Sequence, residues 1–538
     1  MRNGGAGAFA CQLALAAALF ASAQTGGTVQ GRVISSLQGE PVANALVTLR
    51  ELQTSGGAPP QTYICQTGPD GRFSIAGMAP GIYDPRPSKQ GFETHPPERY
   101  ATAHDFPPVT VEADKPVTGL ELRLIPDSVI AGRLLDGDGD PVRNAEVEVQ
   151  QYAYIAGKRQ LRTMHQVQTN DRGEYRIYYL APGRYYVHGE SNERRYMNGP
   201  VPLPALSLAG AYYPGVTEVS RATELQAQPG AELDGIDIHL LPEKRYSIRG
   251  KLPAGETANN GHGVRLEART PGNANRQPRY SVNFTRDGYE IWDVAPGSYV
   301  VIEDSVNRSH PEERLYGRQQ VDVIDHDVDG VDLTYSPAVQ VKGVVKVAGA
   351  APLDLEKTPL LLRGDEFIGQ QQAKIAPDGT FASPRLAPGN YQLGIAGRSA
   401  YVKSVRLGDR ELPDRRIDAE HAVGELTVLV SADFGHVEGT VTDEAGKPVY
   451  DAVVTLIPDQ SRSDWQDKTR DMLTSPAGKF SFSTIEPGEY KVYAWLGAEP
   501  GAPLNADFRK PYEASGVAVK VEANGRSAVE LKVIVLMR

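Results

Sequence analysis

The stretch LAPGRYYV, residues 180–187, decides the fold because its centre, Pro-Gly-x-Tyr, is repeated along the chain. The motif occurs five times, at residues 80–83, 182–185, 296–299, 388–391 and 487–490. Successive copies lie about 100 residues apart, and a sustained period indicates a chain of similar modules.

In each copy the motif predicts a turn that leads into a strand. Glycine permits close packing at the turn, proline fixes φ, and tyrosine can bury its ring while its hydroxyl bonds to the loop backbone. We therefore predict a structural role, and no ligand binding, for the glycine and tyrosine of every copy: Gly81, Tyr83, Gly183, Tyr185, Gly297, Tyr299, Gly389, Tyr391, Gly488 and Tyr490.

Further motifs recur at fixed places in each period. A second glycine precedes the first by ten residues in four copies and by nine in the third: Gly71, Gly173, Gly288, Gly379 and Gly478. Such a glycine beside an alternating apolar run predicts a hairpin turn. Each copy opens with Gly-x-Val or a variant, at Gly31, Gly132, Gly250, Gly343 and Gly439. Copies 1, 2 and 5 continue with Gly-x-Pro-Val-x-x-Ala-x-Val. In copies 3 and 4 this motif is replaced by different sequences, at residues 255–258 and 349–352.

The remaining pattern consists of short alternating runs separated by many of the 55 glycines and 40 prolines, and helical signals are scarce. Alternation with a period of two predicts strands with one buried face. The sequence therefore predicts an all-β protein of five tandem antiparallel β-sandwich modules, at residues 24–126, 127–242, 243–336, 337–432 and 433–538. Because the linkers are only a few residues long, we expect the modules to stack as a semi-rigid rod.

The N-terminus indicates export. Arg2, an apolar run and the small residues Ala21-Ser22-Ala23 predict a signal peptide over residues 1–23, and hence a periplasmic, extracellular or cell-surface protein. No later segment is apolar enough to predict a membrane span. The formal net charge of −11 argues against nucleic acid as a partner. Cys65 is the single cysteine after the signal peptide, so no intrachain disulfide is expected.

The ordered set Gly-x-Val, Gly-x-Pro-Val-x-x-Ala-x-Val, Asp-x-Gly-x-Phe and Pro-Gly-x-Tyr resembles the carboxypeptidase regulatory-like domain. The resemblance is strong in copies 1, 2 and 5 and weaker in copies 3 and 4. It implies a transthyretin-like or starch-binding-like β-sandwich, immunoglobulin-like in architecture, in a superfamily commonly associated with carbohydrate binding. Such domains are accessory modules, so the resemblance implies no catalytic residue, metal or cofactor.

Motifs for metal or catalytic chemistry are weak. The His-x-x-Glu pairs at residues 95–98 and 310–313 resemble zinc ligands, but no segment provides the catalytic domain that a zinc peptidase requires. Residues 136–140 resemble the start of a calcium loop, yet Pro141 and Val147 replace the glycine and the glutamate that such a loop needs. We therefore predict a solvated turn there, and no enzyme activity.

Aromatic residues are the candidates for a ligand site, because sugar binding uses flat apolar faces beside polar groups. Trp292 and Trp495 follow strand alternation and are expected to pack in a core or at a module end. The candidates for ligand binding are Trp465, Tyr152, Tyr154, Tyr212 and Tyr213. The alternative is that these loop aromatics pack onto their own modules.

Two functions remain open from the sequence. The first is a non-enzymatic binding protein of the cell envelope, which binds polysaccharide or another glycan without a cofactor. The second is a structural spacer or scaffold that contacts other envelope proteins through its sheet edges and binds no small ligand.

Overall fold

The computed structural model describes residues 26–52, 59–94, 106–155, 157–191, 206–252, 263–269, 280–285, 288–305, 315–365, 369–422, 424–458 and 468–536. The chain forms two compact units: unit 1 consists of residues 1–90 and 105–124, and unit 2 of residues 91–104 and 125–538. Unit 1 contains most of the first predicted module, and unit 2 contains its residues 91–104, 125 and 126 together with the other four, so the module boundaries stay a prediction. The predicted signal peptide lies outside the described residues and stays a prediction.

The strands of the first module form two sheets. They are β1 (Gly27–Ser35), β2 (Leu46–Glu51), β3 (Thr62–Gln66), β4 (Arg72–Met78), β5 (Gly81–Ser88), β6 (Phe92–Glu93), β7 (Val109–Val111) and β8 (Val117–Pro126). One sheet has the order β4-β1-β8, with β6 paired to the last two residues of β8, and the other has the order β3-β2-β5-β7.

The second module has the same plan with additional short strands. They are β9 (Ser128–Leu135), β10 (Glu146–Ile155), β11 (Lys158–Gln168), β12 (Glu174–Leu180), β13 (Gly183–Glu190), β14 (Leu206–Leu208), β15 (Ala211–Tyr212), β16 (Leu225–Ala227), β17 (Glu232–Leu233), β18 (Ile238–His239) and β19 (Pro242–Lys244). The two main sheets have the orders β12-β9-β17 and β11-β10-β13-β15.

The third and fourth modules follow. The third contains β20 (Tyr246–Lys251), β21 (Val264–Ala268), β22 (Ser281–Phe284), β23 (Gly288–Val294), β24 (Gly297–Ser305), β25 (Leu315–Val323) and β26 (Thr334–Pro337). The fourth contains β27 (Lys342–Ala348), β28 (Leu360–Gly364), β29 (Gln370–Ala373), β30 (Thr380–Ala382), β31 (Asn390–Ile395), β32 (Tyr401–Leu407), β33 (Arg410–Glu411), β34 (Arg416–Asp418) and β35 (Leu426–Ser431). Their sheets are β20-β23-β22 and β21-β24-β25-β26, then β30-β27-β35-β32-β33 and β29-β28-β31-β34.

The fifth module contains β36 (Gly435–Thr442), β37 (Val453–Pro458), β38 (Arg470–Leu473), β39 (Lys479–Ile485), β40 (Gly488–Leu496), β41 (Val517–Val521), β42 (Arg526–Lys532) and β43 (Ile534–Val535). Its sheets are β39-β36-β42 and β38-β37-β40-β41. A short helix, α1 (Ala506–Arg509), and two 3₁₀ turns lie between β40 and β41. Further 3₁₀ turns are Val219–Arg221 and Pro413–Arg415.

The prediction of an all-β fold with sandwich modules is confirmed. In the fifth module, apolar side chains from both sheets meet in one core, including Val441 and Phe480 from one sheet and Leu456 and Val492 from the other. Each sheet uses strands of one predicted module. Strand β19 extends two residues past the predicted boundary at 242, and β26 extends one residue past the predicted boundary at 336.

In modules 1, 4 and 5 the opening strand pairs in parallel with a late strand of the same sheet, whereas most other pairings are antiparallel. Strand β1 pairs with β8, β27 with β35 and β36 with β42 in this way. Alternation shows which face of a strand is buried but not its direction, so the sequence analysis missed these pairs.

The opening glycine of each module lies against the backbone of the closing segment of that module. A Cβ placed on Gly439 would lie 2.0 Å from the carbonyl oxygen of Val529 on the closing strand. The other four opening glycines have the same conflict, at 2.0–2.2 Å. The aromatic ring of the Asp-x-Gly-x-Phe motif covers the other side, with Cζ of Phe480 2.8 Å from the same Cβ position. Only glycine therefore fits at this position.

The tyrosines of the Pro-Gly-x-Tyr motif all make one hydrogen bond. Each ring is at most 6% exposed. Each hydroxyl donates to the backbone carbonyl four residues earlier, immediately before the proline, over 2.6–3.0 Å: Tyr83 to Ala79, Tyr185 to Ala181, Tyr299 to Ala295, Tyr391 to Ala387 and Tyr490 to Glu486. The motif is thus a turn closed by its own tyrosine.

The linker between modules 4 and 5 is held by a carboxylate. The side chain of Asp433 accepts hydrogen bonds from the backbone amides of Ala350 and Ala351, at 3.2 and 3.0 Å. A Cβ on Gly349 would lie 1.6 Å from Oδ2 of Asp433. A hydrogen bond from Asn524 of module 5, and then the Ala351 amide, lower the pKa of Asp433. Gly349 therefore has no room for a side chain.

Replacing Gly439 by alanine tests the close approach of the strands. We expect Gly439→Ala to destabilise module 5 by about 1–3 kcal/mol, the usual cost of an overpacked site. Hydrogen exchange with mass spectrometry on the full chain measures this as faster exchange in β36 and β42. Gly488→Ala is the matched control, because its Cβ would lie 3.5 Å from the nearest atom, Cε2 of Tyr490. Equal protection in the two variants would contradict the explanation.

Replacing Asp433 by asparagine tests the carboxylate at the linker. The folded-state pKa is lowered, so the stabilisation is complete above the unfolded pKa of about 3.9 and is lost as the pH falls through the folded value. Calorimetry between pH 3 and 7 should therefore give a difference between wild type and Asp433→Asn that is constant at neutral pH and shrinks in acid. Asp409→Asn, at an exposed position of module 4, is the control. A difference that grows in acid would refute the assignment.

Candidate binding sites in unit 2

Tyr212 belongs to the core of module 2. Its ring is 1% exposed, its hydroxyl donates to Oε1 of Gln150 over 3.1 Å, and it packs edge to face with His188. The prediction of Tyr212 as a ligand-binding residue is therefore wrong, because its ring is covered. Tyr213 is partly buried against the same core. Trp465 lies outside the described residues.

Tyr152 packs within its own module. Its ring contacts Tyr186 edge to face at 5.6 Å between centroids, and the guanidinium of Arg159 lies 4.1 Å from the ring centroid. One face of Tyr152 is thus occupied by a cation, which matches the alternative that loop aromatics pack onto their own module.

Tyr154 contacts module 5 instead. Its ring meets that of Phe508, in α1, at 6.2 Å between centroids, and Nδ2 of Asn505 donates to the carbonyl of Gly157 over 2.8 Å. Burial raises the pKa of Tyr154, and the charge of Glu499 raises it further. This contact joins modules 2 and 5, which are not neighbours in sequence. It is therefore not expected for the predicted rod, in which each module contacts only the next one.

Trp495 is fully buried in module 5, as the sequence predicts. It stacks on Tyr493 at 5.5 Å and also contacts Phe508 and Tyr512. This second apolar cluster of module 5 supports the segment that meets Tyr154.

A cleft of about 360 Å³ lies between modules 3 and 4; we call it the 3/4 cleft. Its floor is a row across the outer face of the sheet β21-β24-β25-β26, since the register aligns Arg265, Ile302, Arg318 and Thr334. Tyr316 and Ser336 form a neighbouring pair on the same face. The opposite wall comes from module 4 and includes Gln371, Arg385, Leu386, Pro388 and Glu420.

The polar groups of the 3/4 cleft are partly fixed by the protein. Nε of Arg265 pairs with Glu267 at 3.0 Å, and Arg385 donates to the carbonyl of Ala338 over 3.3 Å. The cleft combines a half-buried tyrosine ring, apolar atoms of a turn, hydroxyl groups and guanidinium groups. This mixture can bind a small polar molecule that has a flat apolar face.

A second cleft of about 360 Å³, the 4/5 cleft, lies between modules 4 and 5. It is lined by four arginines, Arg363, Arg398, Arg415 and Arg470, and by the rings of Tyr401 and Phe434. Module 5 contributes Thr484 and Glu486, just before its Pro-Gly-x-Tyr turn.

The two clefts share one plan, which the sequence analysis missed. In each, the outer face of the second sheet of one module meets the residues that precede the Pro-Gly-x-Tyr turn of the next. The outward positions could have been identified from alternation, because Arg265 lies between core residues Val264 and Leu266. Which surfaces of neighbouring modules meet in the clefts could not be identified from the sequence.

Of the motifs considered for metal binding, the one within the described residues, at 136–140, is a turn. Residues 95–98 and 310–313 lie outside the described residues. Within the described residues, no three side chains of His, Cys, Asp or Glu are placed so that they could hold a metal ion. Asp136 caps its own turn by accepting from the amides of Asp138 and Asp140. No helix within the described ranges is long and apolar enough to cross a membrane.

One carboxyl group has a strongly shifted pKa. Burial raises the pKa of Asp127 to about 6, and the charge of Glu93 adds to the shift. Neither residue lines the 3/4 or the 4/5 cleft.

Comparison with solved structures finds pilins among the matches. A minor pilin of Streptococcus agalactiae is 11% identical, with a TM-score of 0.24, over 43% of this chain and 99% of the pilin. The shaft pilin SpaA of Lactobacillus rhamnosus GG is 12% identical, with a TM-score of 0.22 and the same coverages. A streptococcal ancillary pilin is 10% identical, with a TM-score of 0.20, over 54% of this chain and 99% of that one. Similarity at this level does not indicate function.

Comparison by sequence is more specific. No curated protein matches the chain. The family model described as "Carboxypeptidase regulatory-like domain" matches residues 28–124 and 436–532, each of which spans a complete set of opening and closing strands. The first and fifth modules of this chain are therefore carboxypeptidase regulatory-like domains in a tandem-module protein.

Proposed function

We propose that this is an exported, non-enzymatic binding protein of the cell envelope, and that it binds a saccharide in the 3/4 cleft. The observation that carries the proposal is the combination of the Tyr316 ring with a row of hydrogen-bonding side chains in one cleft. A sugar ring needs a flat apolar surface and several polar partners at its edge, and both are available there.

The position of the cleft supports this proposal. Its two walls belong to different modules, so a ligand in the cleft would contact both. The apolar wall is a turn closed by the buried tyrosine Tyr391. A site held by closed turns and paired strands needs little rearrangement on binding, which limits the entropic cost of association.

A scaffold is the second candidate, and strand β11 favours it. This strand is eleven residues long and forms the edge of the sheet β11-β10-β13-β15. An exposed edge can accept a strand from another protein. Its basic residues Lys158, Arg159 and Arg162 restrict such a partner to an acidic or neutral segment.

Saccharide binding can be tested by titration calorimetry of residues 24–538 against a panel of soluble oligosaccharides. We expect saturable binding to one neutral or acidic class, and Tyr316→Ala should weaken it about tenfold through the lost stacking surface. Tyr178→Ala is the control, because Tyr178 is an exposed tyrosine of module 2.

The outcomes separate the candidate functions. Unchanged affinity in Tyr316→Ala combined with loss in Trp465→Ala would move the site to the loop around residue 465. Absence of binding across the panel would refute the saccharide proposal and favour the scaffold. Hydrolysis of any oligosaccharide would refute the non-enzymatic assignment.

A further inference from the structure

Strand β11 has one edge that no described strand covers. It pairs with β10 on one side and lies at the end of the sheet β11-β10-β13-β15. A bulge interrupts the pairing with β10 after Thr163, so the regular part of this edge consists of residues 158–163. Three of these residues are basic and exposed, namely Lys158, Arg159 and Arg162. We call residues 158–163 the basic edge.

Strand β25 of module 3 has a second uncovered edge, and this one is acidic. Strand β26 pairs with only the first four of the nine residues of β25. The last five therefore have no partner strand on that side within the described part of the chain. Asp322 is exposed there, and Asp325, also exposed, follows shortly after the strand. We call residues 319–325 the acidic edge.

The charges of the two edges have the same spacing. Arg159 and Arg162 are three positions apart in the sequence, and so are Asp322 and Asp325. An antiparallel register that places Arg162 opposite Asp322 also places Arg159 opposite Asp325. Opposite charges that face each other across a strand pair stabilise it, whereas like charges destabilise it. We call Arg162 with Asp322 the inner pair and Arg159 with Asp325 the outer pair.

The inner pair is the better one to test. In the outer pair, the guanidinium of Arg159 lies 4.1 Å from the ring centroid of Tyr152, and Asp325 contacts His326 at 2.7 Å. In the inner pair, the arginine is exposed, and the aspartate meets Arg269 only at 4.0 Å. Reversing a charge of the inner pair should therefore disturb the rest of each module little.

The same register suits the layers of both modules. On β25, Val321 belongs to the core of module 3. On β11, the hydroxyl of Thr163 donates to Glu148, whose neighbours Val147 and Val149 belong to the core of module 2, so Thr163 lies on the outer face of its sheet. Thr163 would stand opposite Val321. The other sheets of the two sandwiches would then lie on opposite sides of the joined sheet, which avoids a clash between them.

A second copy of the chain carries the complement of each edge. Two basic edges in full antiparallel register would place Arg159 opposite Arg162, and such repulsion is a common protection of exposed edges. The acidic edge replaces this repulsion by attraction. Within one chain the two edges do not pair with each other. Pairing between copies would also place Ile324, which is 69% exposed, opposite Gln160 and remove part of its apolar surface from water.

We propose that copies of this protein associate by strand addition, with the basic edge of one copy paired antiparallel to the acidic edge of another. Main-chain hydrogen bonds along the joined edges supply affinity, and the charged side chains supply specificity. The contact joins two different surfaces and is therefore heterologous. It differs from the scaffold candidate because the partner is the chain itself, and it does not depend on a saccharide in the 3/4 cleft.

Sedimentation velocity of residues 24–538 at increasing concentration tests this association. We expect a species larger than the monomer that dissociates as salt is added, because salt screens exposed charges. Arg162→Asp and Asp322→Arg should each weaken the association at least tenfold, since each places like charges opposite one another. An equimolar mixture of the two variants should associate again, because every edge then meets a complementary one. Arg410→Asp, at an exposed arginine of β33, is the control and should associate as the wild type does.

The proposal is overturned by a protein that stays monomeric at every concentration, or by association that neither reversal weakens. A mixture that stays monomeric, or an equal loss in Arg410→Asp, would also overturn it. Circular dichroism checks that each variant is folded, and Arg162→Gln with Asp322→Asn replace the reversals should these fail to fold. Oligosaccharide titration of Arg162→Asp should match that of the wild type, which separates this proposal from that for the 3/4 cleft.

Discussion

The close approach of the opening strand and the closing segment of each module is the constraint on which the rest of the structure depends. It joins segments that lie some 90 residues apart, as between Gly439 and Val529. The backbone of one strand occupies the space where a Cβ of the other would stand, so one glycine in each module determines whether the sheet can close. In modules 2 and 3 the covering aromatic is a tyrosine, whose hydroxyl donates to the carbonyl that meets the opening glycine, that of Ile236 or Val331.

The parallel direction of this pair also determines where the clefts form. A chain that enters a module on one strand and leaves on a parallel one exits at the opposite end. Because β30 and β39 are antiparallel to the opening strands of their modules, the turns that follow them return to the entry end. The Pro-Gly-x-Tyr turns of modules 4 and 5 therefore face the preceding module. The motif that closes a turn within one module also builds a wall of the cleft before it.

Much of this could be predicted from the sequence because it depends on local chemistry. A period of two, turn glycines and a recurring tyrosine are sufficient to predict strands, hairpins and five modules. The strand direction, the burial of Tyr212 and the contact of Tyr154 with module 5 depend on residues far away in the chain. Gly349 is instructive: from the sequence the segment after it showed only a departure from the repeat and a less certain strand, whereas in the structure this segment meets Asp433, 84 positions after Gly349.

The distribution of charge gives the clefts their chemical character. Most ion pairs along the sheets, such as Arg32 with Glu121 and Arg133 with Asp237, join exposed residues of adjacent strands and contribute little stability. Arginines also line the clefts at the module junctions, among them Arg385 in the 3/4 cleft and Arg398 in the 4/5 cleft. The positions of these junction arginines depend on how neighbouring modules pack, whereas the ion pairs along the sheets depend on the strand register within one module.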